Sequence, residues 1–246
     1  DCTKDNAEQS RNRSFVVGDP GAILVVDAVS SLGIAELPMD AWGIDVVVSA
    51  STDGKTWQLP SLVSDGVGCD LQKSQLFNDK EWIVVDNNPS SRYYGRAYVT
   101  WSGFLSASGA YLESPILFSY SDDGGRTWTP SKEISGSSAS LCAHQEAGAA
   151  GECDEDQFSV PVVLRNGDVV VAFQNEQNTG IQESGDAFDN QYLVVRSVDG
   201  GATWLPPVQA GCDFGSMSRC MTSPSLPQVE RVVNSLPSVI TTLMVW

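Results

Sequence analysis

Positive charge is scarce in this sequence. Fourteen Lys and Arg face 31 Asp and Glu, giving a formal net charge of −17, and there is one histidine, His144. That balance excludes a basic surface for nucleic-acid phosphates and for anionic membranes. No apolar run reaches the roughly 18 residues of a membrane span. There is no Cys-x-x-Cys pair, and one His cannot supply a zinc site of ordinary type. No signal-peptide pattern opens the chain, as expected of a mature or trimmed form. Few Lys with many Gly, Ser, Thr and Asn suits an acidic extracellular β protein.

The six cysteines are even in number and fall in loop-like stretches: Cys2, Cys69, Cys142, Cys153, Cys212 and Cys220. An even count in a secreted chain reads as disulfides. Cys142–Cys153 and Cys212–Cys220 each close a short loop, and Cys2–Cys69 follows by elimination.

One string recurs. Ser121-Asp-Asp123-Gly-Gly125-Arg-Thr127-Trp128 and Ser197-Val-Asp199-Gly-Gly201-Ala-Thr203-Trp204 both read S-x-D-G-G-x-T-W, and Ser51-Thr-Asp53-Gly-Lys-Thr56-Trp57 is a shorter third copy. The chemistry is that of a hairpin turn. The Asp accepts hydrogen bonds from its own turn, the Gly pair supplies left-handed backbone, and the Trp fills the space beneath. The three Asp lie 70 and 76 residues apart. A second landmark, an apolar strand behind a Gly, ends at Asp27, Trp101 and Phe173, and Trp246 closes the same slot, at spacings of 74, 72 and 73. Two landmarks with one period define a repeat. Each period holds four strand-like runs, the content of a propeller blade.

At these strings the chain resembles the Asp-box (bacterial neuraminidase repeat) proteins, sialidases and related six-bladed β-propellers. The resemblance implies an all-β, sialidase-type propeller of four-stranded antiparallel blades. The blades are expected near 12–65, 78–135 and 156–210, with a partial one at 234–246. A half blade exposes sheet faces and edges. The expectation is therefore an incomplete copy of a larger ring, completed by more of this protein or by a second chain.

Propeller topology puts the Asp boxes, between strands three and four of each blade, on one face. The strand two–three loops and the blade-to-blade connections lie on the other, which the resemblance marks as the active face. The longest connections fall there too. Sialidases carry F/Y-R-I-P at the inner-strand start, its Arg gripping the substrate carboxylate. The matching strings here are expected to be Asn12-Arg13-Ser14-Phe15, Asn78-Asp79-Lys80-Glu81, Phe158-Ser159-Val160-Pro161 and Asn234-Ser235-Leu236-Pro237. Arg13 alone keeps the Arg.

Glycoside hydrolysis needs two carboxylates across one bond. Asp79, Glu81, Asp156 and Glu176 are the candidate acids, with Arg13, Arg219, Arg231 and Tyr111 as substrate contacts. Each acid taken alone is a solvated surface group in so acidic a chain, so the reading rests on the cluster. Asp154 and Asp156, among Glu152–Asp156, offer the clustered oxygens that Ca2+ takes, although not at EF-hand spacing. No cofactor is required. His144 reads as a loop residue. The function expected is a secreted carbohydrate-active protein, a sialidase-like exo-glycosidase that hydrolyses terminal sugars. The alternative is a non-catalytic extracellular propeller that binds a glycan or protein at a cell surface or envelope.

Overall fold

A computed structural model describes residues 13–15, 24–28, 44–51, 56, 59, 61–65, 75–143, 145, 149–176 and 190–212, with the first two strands as backbone alone. Among the described residues, thirteen strands form three antiparallel sheets. The first holds β1 (Arg13–Phe15), β2 (Leu24–Ala28), β3 (Ile44–Ser51) and β4 (Ser61–Asp65), in chain order. The second holds β5 (Gln75–Val85), β6 (Ala97–Ala107), β8 (Ile116–Ser121) and β9 (Lys132–Glu133). The third runs β10 (Asp156–Val163), β11 (Val169–Asn175), β12 (Gln191–Ser197) and β13 (Val208–Cys212). The 234–246 segment lies outside the described residues. No described helix is long and apolar enough to cross a membrane.

The second sheet carries an extra strand, β7 (Ala110–Glu113), paired to the far end of β6. A turn at Ser108 and Gly109, both with positive φ (52° and 77°), makes this hairpin. The four-run period did not reveal it, because β7 extends an existing strand.

The sheets stack face to face in chain order. β6 shows why its run Ala97–Trp101 is largely apolar and buried at every position. Tyr98 enters a core with Ile116, Phe118, Val169, Val171, Phe173, Leu193 and Val195, between the second and third sheets. Val99 and Trp101, on the opposite face of the same strand, join Val46, Val48, Val63 and Ile83 between the first and second. Strand side chains alternate faces, so a sheet packed on both sides buries successive residues and favours apolar ones on both faces.

The two complete S-x-D-G-G-x-T-W strings fold alike. Ser121 Oγ donates to Asp123 Oδ1 (2.8 Å) and accepts from Gly125 N (2.9 Å); Thr127 donates to Asp123 through N (2.9 Å) and Oγ1 (2.6 Å). Ser197, Asp199, Gly201 and Thr203 repeat these bonds at 2.8, 2.7, 2.8 and 2.6 Å. Each turn joins the third and fourth strands of its sheet and leans on the sheet before it. Gly125 lies against Val48 and Ala50, and Trp128 Nε1 donates to Ser61 Oγ at 3.0 Å. Gly201 lies so close to Phe118 that a Cβ there would overlap the ring, and Trp204 meets the same ring edge-on at 5.0 Å. The tryptophans are half-buried wedges between sheets rather than buried plugs. Of the third copy, Ser51 ends β3 and is buried, and Thr56 is exposed, whereas Asp53 and Trp57 lie outside the described residues.

Candidate functional site

The rim opposite these turns is built by bulges in the first strands of the second and third sheets. The β5–β6 register slips between Asp79 and Trp82, and the β10–β11 register slips between Gln157 and Val160. Within the slips, Lys80 and Phe158 both take left-handed backbone, with φ of 59° and 56°. A non-glycine residue in that region costs about 1–3 kcal/mol, and such residues concentrate at functional sites. The matched strain re-aims the two side chains at one place. Lys80 Nζ lies 5.1 Å from the centroid of Phe158 and 5.8 Å from that of Phe104, and Phe104 lies 6.3 Å from Phe77. Phe77 and Phe158 remain more than half exposed, at 57% and 54%.

The strand pairing also corrects the alignment of the inner strands. Ile83 pairs with Val99, and Pro161 with Val171, the residues two beyond the matched strand starts Ala97 and Val169. Lys80-Glu81-Trp82-Ile83 is therefore the counterpart of Phe158-Ser159-Val160-Pro161, two residues later than the sequence suggested. Phe15 lies opposite Val26, the counterpart of Thr100 and Ala172, so it matches Trp82 and Val160, and Arg13 falls one place before its expected column. That column now reads Ser14, Glu81, Ser159. Both strands carry the same bulge, so the slip comes from the turn that follows, which runs from Val85 to Ala97 in the second sheet and only from Val163 to Val169 in the third.

Carboxyl groups collect around the bulges. Asp79 pairs with Lys80 through the side chain and accepts from Lys80 N at 2.9 Å. Glu176 Oε1 accepts from Gln157 Nε2 at 2.8 Å, and its backbone N donates to Glu155 O at 2.7 Å. Burial pushes the Glu176 carboxyl up, against the lowering charge of Lys80. Tyr111, on β7, shares a hydrogen bond with Ser114 Oγ at 2.6 Å. Burial, followed by the charges of Glu155, Glu176 and Asp156, pushes its phenol up to about 12 despite that bond. The phenol is neutral at ordinary pH. Glu81 is half-buried in the bulge itself.

Asp156 does not lie open on this rim. It is wholly buried, and its Oδ1 accepts from Asn175 Nδ2 at 2.7 Å. Gln191 Nε2 then donates to Asn175 Oδ1 (2.9 Å), and Gln209 Nε2 to Gln191 Oε1 (3.0 Å), a polar ladder across the end of the third sheet. Burial drives the Asp156 carboxyl well above its ordinary range, against hydrogen bonds from Ser135 and Asn175. The alternation of polar residues along β10 gave no sign of this ladder, which forms across strands.

The acids named for a cation separate as well. Asp154 meets Glu133 and Glu152, with carboxylate oxygens within 4.8 Å of one another, and Asp156 is not among them. Burial, then the charges of Glu113 and Glu152, raises Asp154 to about 6 against a backbone bond from Ala149. Glu133, contributed by β9, was not foreseen, because only the fold brings it to that loop. The loop is closed by the Cys142–Cys153 disulfide, both cysteines buried, Cα atoms 5.3 Å apart. Arg219, Arg231, His144 and the sulfurs of Cys2, Cys69, Cys212 and Cys220 lie outside the described residues, as does the side chain of Arg13.

No family model matches the chain. No curated protein matches it either. Among solved structures, it is similar to the Hadza microbial sialidase Hz136, at 19% identity and a TM-score of 0.49, over 81% of this chain and 37% of that one. A Dyadobacter fermentans protein of unknown function is 17% identical, with a TM-score of 0.48 over 80% of this chain and 54% of its own. An endo-arabinase from Bacteroides thetaiotaomicron is 15% identical, with a TM-score of 0.43 over 81% and 55%. The chain thus spans between about a third and just over half of the length of these proteins.

Proposed function

We propose that the chain is an arc of a six-bladed, Asp-box β-propeller and an extracellular carbohydrate-active protein, with exo-glycosidase as the leading activity. The observation that carries this reading is the paired bulge. Two neighbouring inner strands use the same strained geometry to bring Lys80, Phe104 and Phe158 together beside Asp79 and Glu176. Aromatic faces with a few convergent polar groups suit a sugar. A half-buried carboxyl with a raised pKa suits a proton donor to a leaving oxygen. Glu176 takes that role and Asp79 that of the partner carboxylate. Asp156 has none, because a buried acid meets no soluble sugar.

Hydrolysis of a panel of chromogenic glycosides tests this reading. Glu176→Gln is expected to lower kcat by about two to four orders of magnitude, with the thermal midpoint kept. The exposed Phe77 and Phe158 rings favour a second reading, a propeller that binds glycans without cleaving them. A wild type that hydrolyses no glycoside on the panel yet binds a glycan array selects that reading. A wild type that does neither removes both.

A further inference from the structure

We infer that the rim site takes a neutral sugar and rejects a carboxylated one; this inference rests on the carbohydrate reading above. The argument is one of charge inventory. A carboxylate ligand needs uncompensated cations or a fan of donors where it binds. In the column that would supply them, the second sheet offers the acid Glu81. The third offers Ser159, buried, with its Oγ donating to Thr100 Oγ1 at 2.9 Å. That hydroxyl ties two sheets together and does not face a ligand.

Among the described residues, Lys80 is the cation whose contacts put it at the rim, and Asp79 pairs with it. The other described cations with printed partners are held at the opposite end or along the sheets. Arg96 grips Asp122 (2.6 and 2.7 Å) and Gly200 O (2.8 Å), and Arg126 binds Asp123 O at 2.7 Å. Arg196 pairs with Asp168, and Lys132 donates to Ala202 O at 2.8 Å. What faces a ligand beside the rings is Asp79, Glu176 and the Tyr111 phenol, with Glu155 close behind them. A sugar carboxylate brought there finds acids beside it and, among the described residues, no uncompensated cation, a selection against the wrong ligand as well as for the right one. A neutral pyranose needs no such cation. Its C–H face lies on Phe158, and its hydroxyls donate to Asp79 and Glu176, which Gln157 and the bulge hold in place.

The test is a glycan array probed with the full chain. It carries neutral glycans and the same glycans capped with sialic or uronic acid. Neutral glycans are expected to be bound, or turned over, about tenfold or more in preference to the capped ones. Phe158→Ala should lower that binding about tenfold without moving the thermal midpoint. Raising salt from about 50 to about 500 mM should leave it within about twofold, because no charge pair is involved. Preference for the capped glycans, or an affinity that falls steeply with salt, overturns the inference and leaves the carbohydrate reading standing. Neutral binding indifferent to Phe158→Ala also overturns it, by moving the site elsewhere. A chain that neither binds nor cleaves any glycan overturns the carbohydrate reading, and the inference with it.

Discussion

The two ends of the stacked sheets treat acids in opposite ways. At the turn end, Asp123 and Asp199 are surrounded by donors. Hydrogen bonds from the Thr127 hydroxyl and backbone hold Asp123 far below the ordinary carboxylate range. At Asp199, burial pulls upward, but Thr203 and Ser197 outweigh it and hold the group at about 2. At the rim end, Asp154, Asp156 and Glu176 are pushed up, each by burial first. The turn end therefore spends its acids as fixed anions that shape a backbone. The rim end keeps acids ready to hold protons, the condition that acid–base chemistry requires. One chain with a net charge of −17 does both, so composition alone could not tell the two uses apart.

The largest effect expected in breaking this contrast is at the turn end. Gly201 has φ +93°, and a Cβ there overlaps Phe118, a ring already fixed by Tyr98, Tyr120 and Trp204. Gly201→Ala combines overpacking with left-handed strain and should cost about 4 kcal/mol in urea unfolding. Gly125→Ala, at φ +79° with only ordinary contacts to Val48 and Ala50, should cost about 1–2 kcal/mol. Equal costs would mean that these glycines serve the turn alone and do not seat one sheet on the next.

Next come the acids themselves. Asp199→Ala removes bonds from Thr203 N, Thr203 Oγ1 and Ser197 Oγ and should cost about 1–3 kcal/mol at pH 7. The folded pKa of Asp199 is depressed, so its stabilisation is full above about pH 4 and is lost as pH falls toward 2. The deficit of the variant should shrink over that window. Asp156→Asn should behave in the opposite way. Burial disfavours its charged form, so an isosteric neutral amide should change stability by less than about 1 kcal/mol at pH 7. A loss of several kcal/mol would show that Asp156 is ionised in place and would erase the contrast between the ends.

How much of this was legible follows the range of the interactions. The turns were legible, because Ser, Asp, Gly and Thr within seven residues carry all their own bonds. The stacking was legible only as a period, whereas the contact of Gly201 with Phe118 spans 83 positions and has no local sign. At the candidate site, Asp79 and Glu176 were named on charge and loop position, and the fold brings both to the rim with Lys80. Lys80, Phe104 and Phe158 were not named as site residues, because a bulge is invisible in an apolar pattern. The longer turn between Val85 and Ala97 displaced the second inner strand by two residues in the sequence alignment. Asp156 was named for its charge, but burial is set by β11 and by the Cys142–Cys153 loop, which its neighbours in sequence do not encode.

The smallest expected effect sharpens the rim end. Asp154 titrates near 6 because burial, then Glu113 and Glu152, disfavour its charge. Its folded pKa lies above the ordinary value, so the stability it contributes is full below about pH 4 and is lost as pH rises through 6. Glu152→Gln takes away one of the repelling charges. The variant should therefore melt higher than the wild type at pH 7, by an amount equivalent to a few tenths of a kcal/mol. It should match the wild type near pH 4, where Asp154 is protonated in both. Thermal midpoints at the two pH values decide it. A variant that melts lower than the wild type at pH 7 would mean that Glu133, Glu152 and Asp154 attract one another through something other than shared protons, and the rim end would no longer be the place where acids are merely crowded.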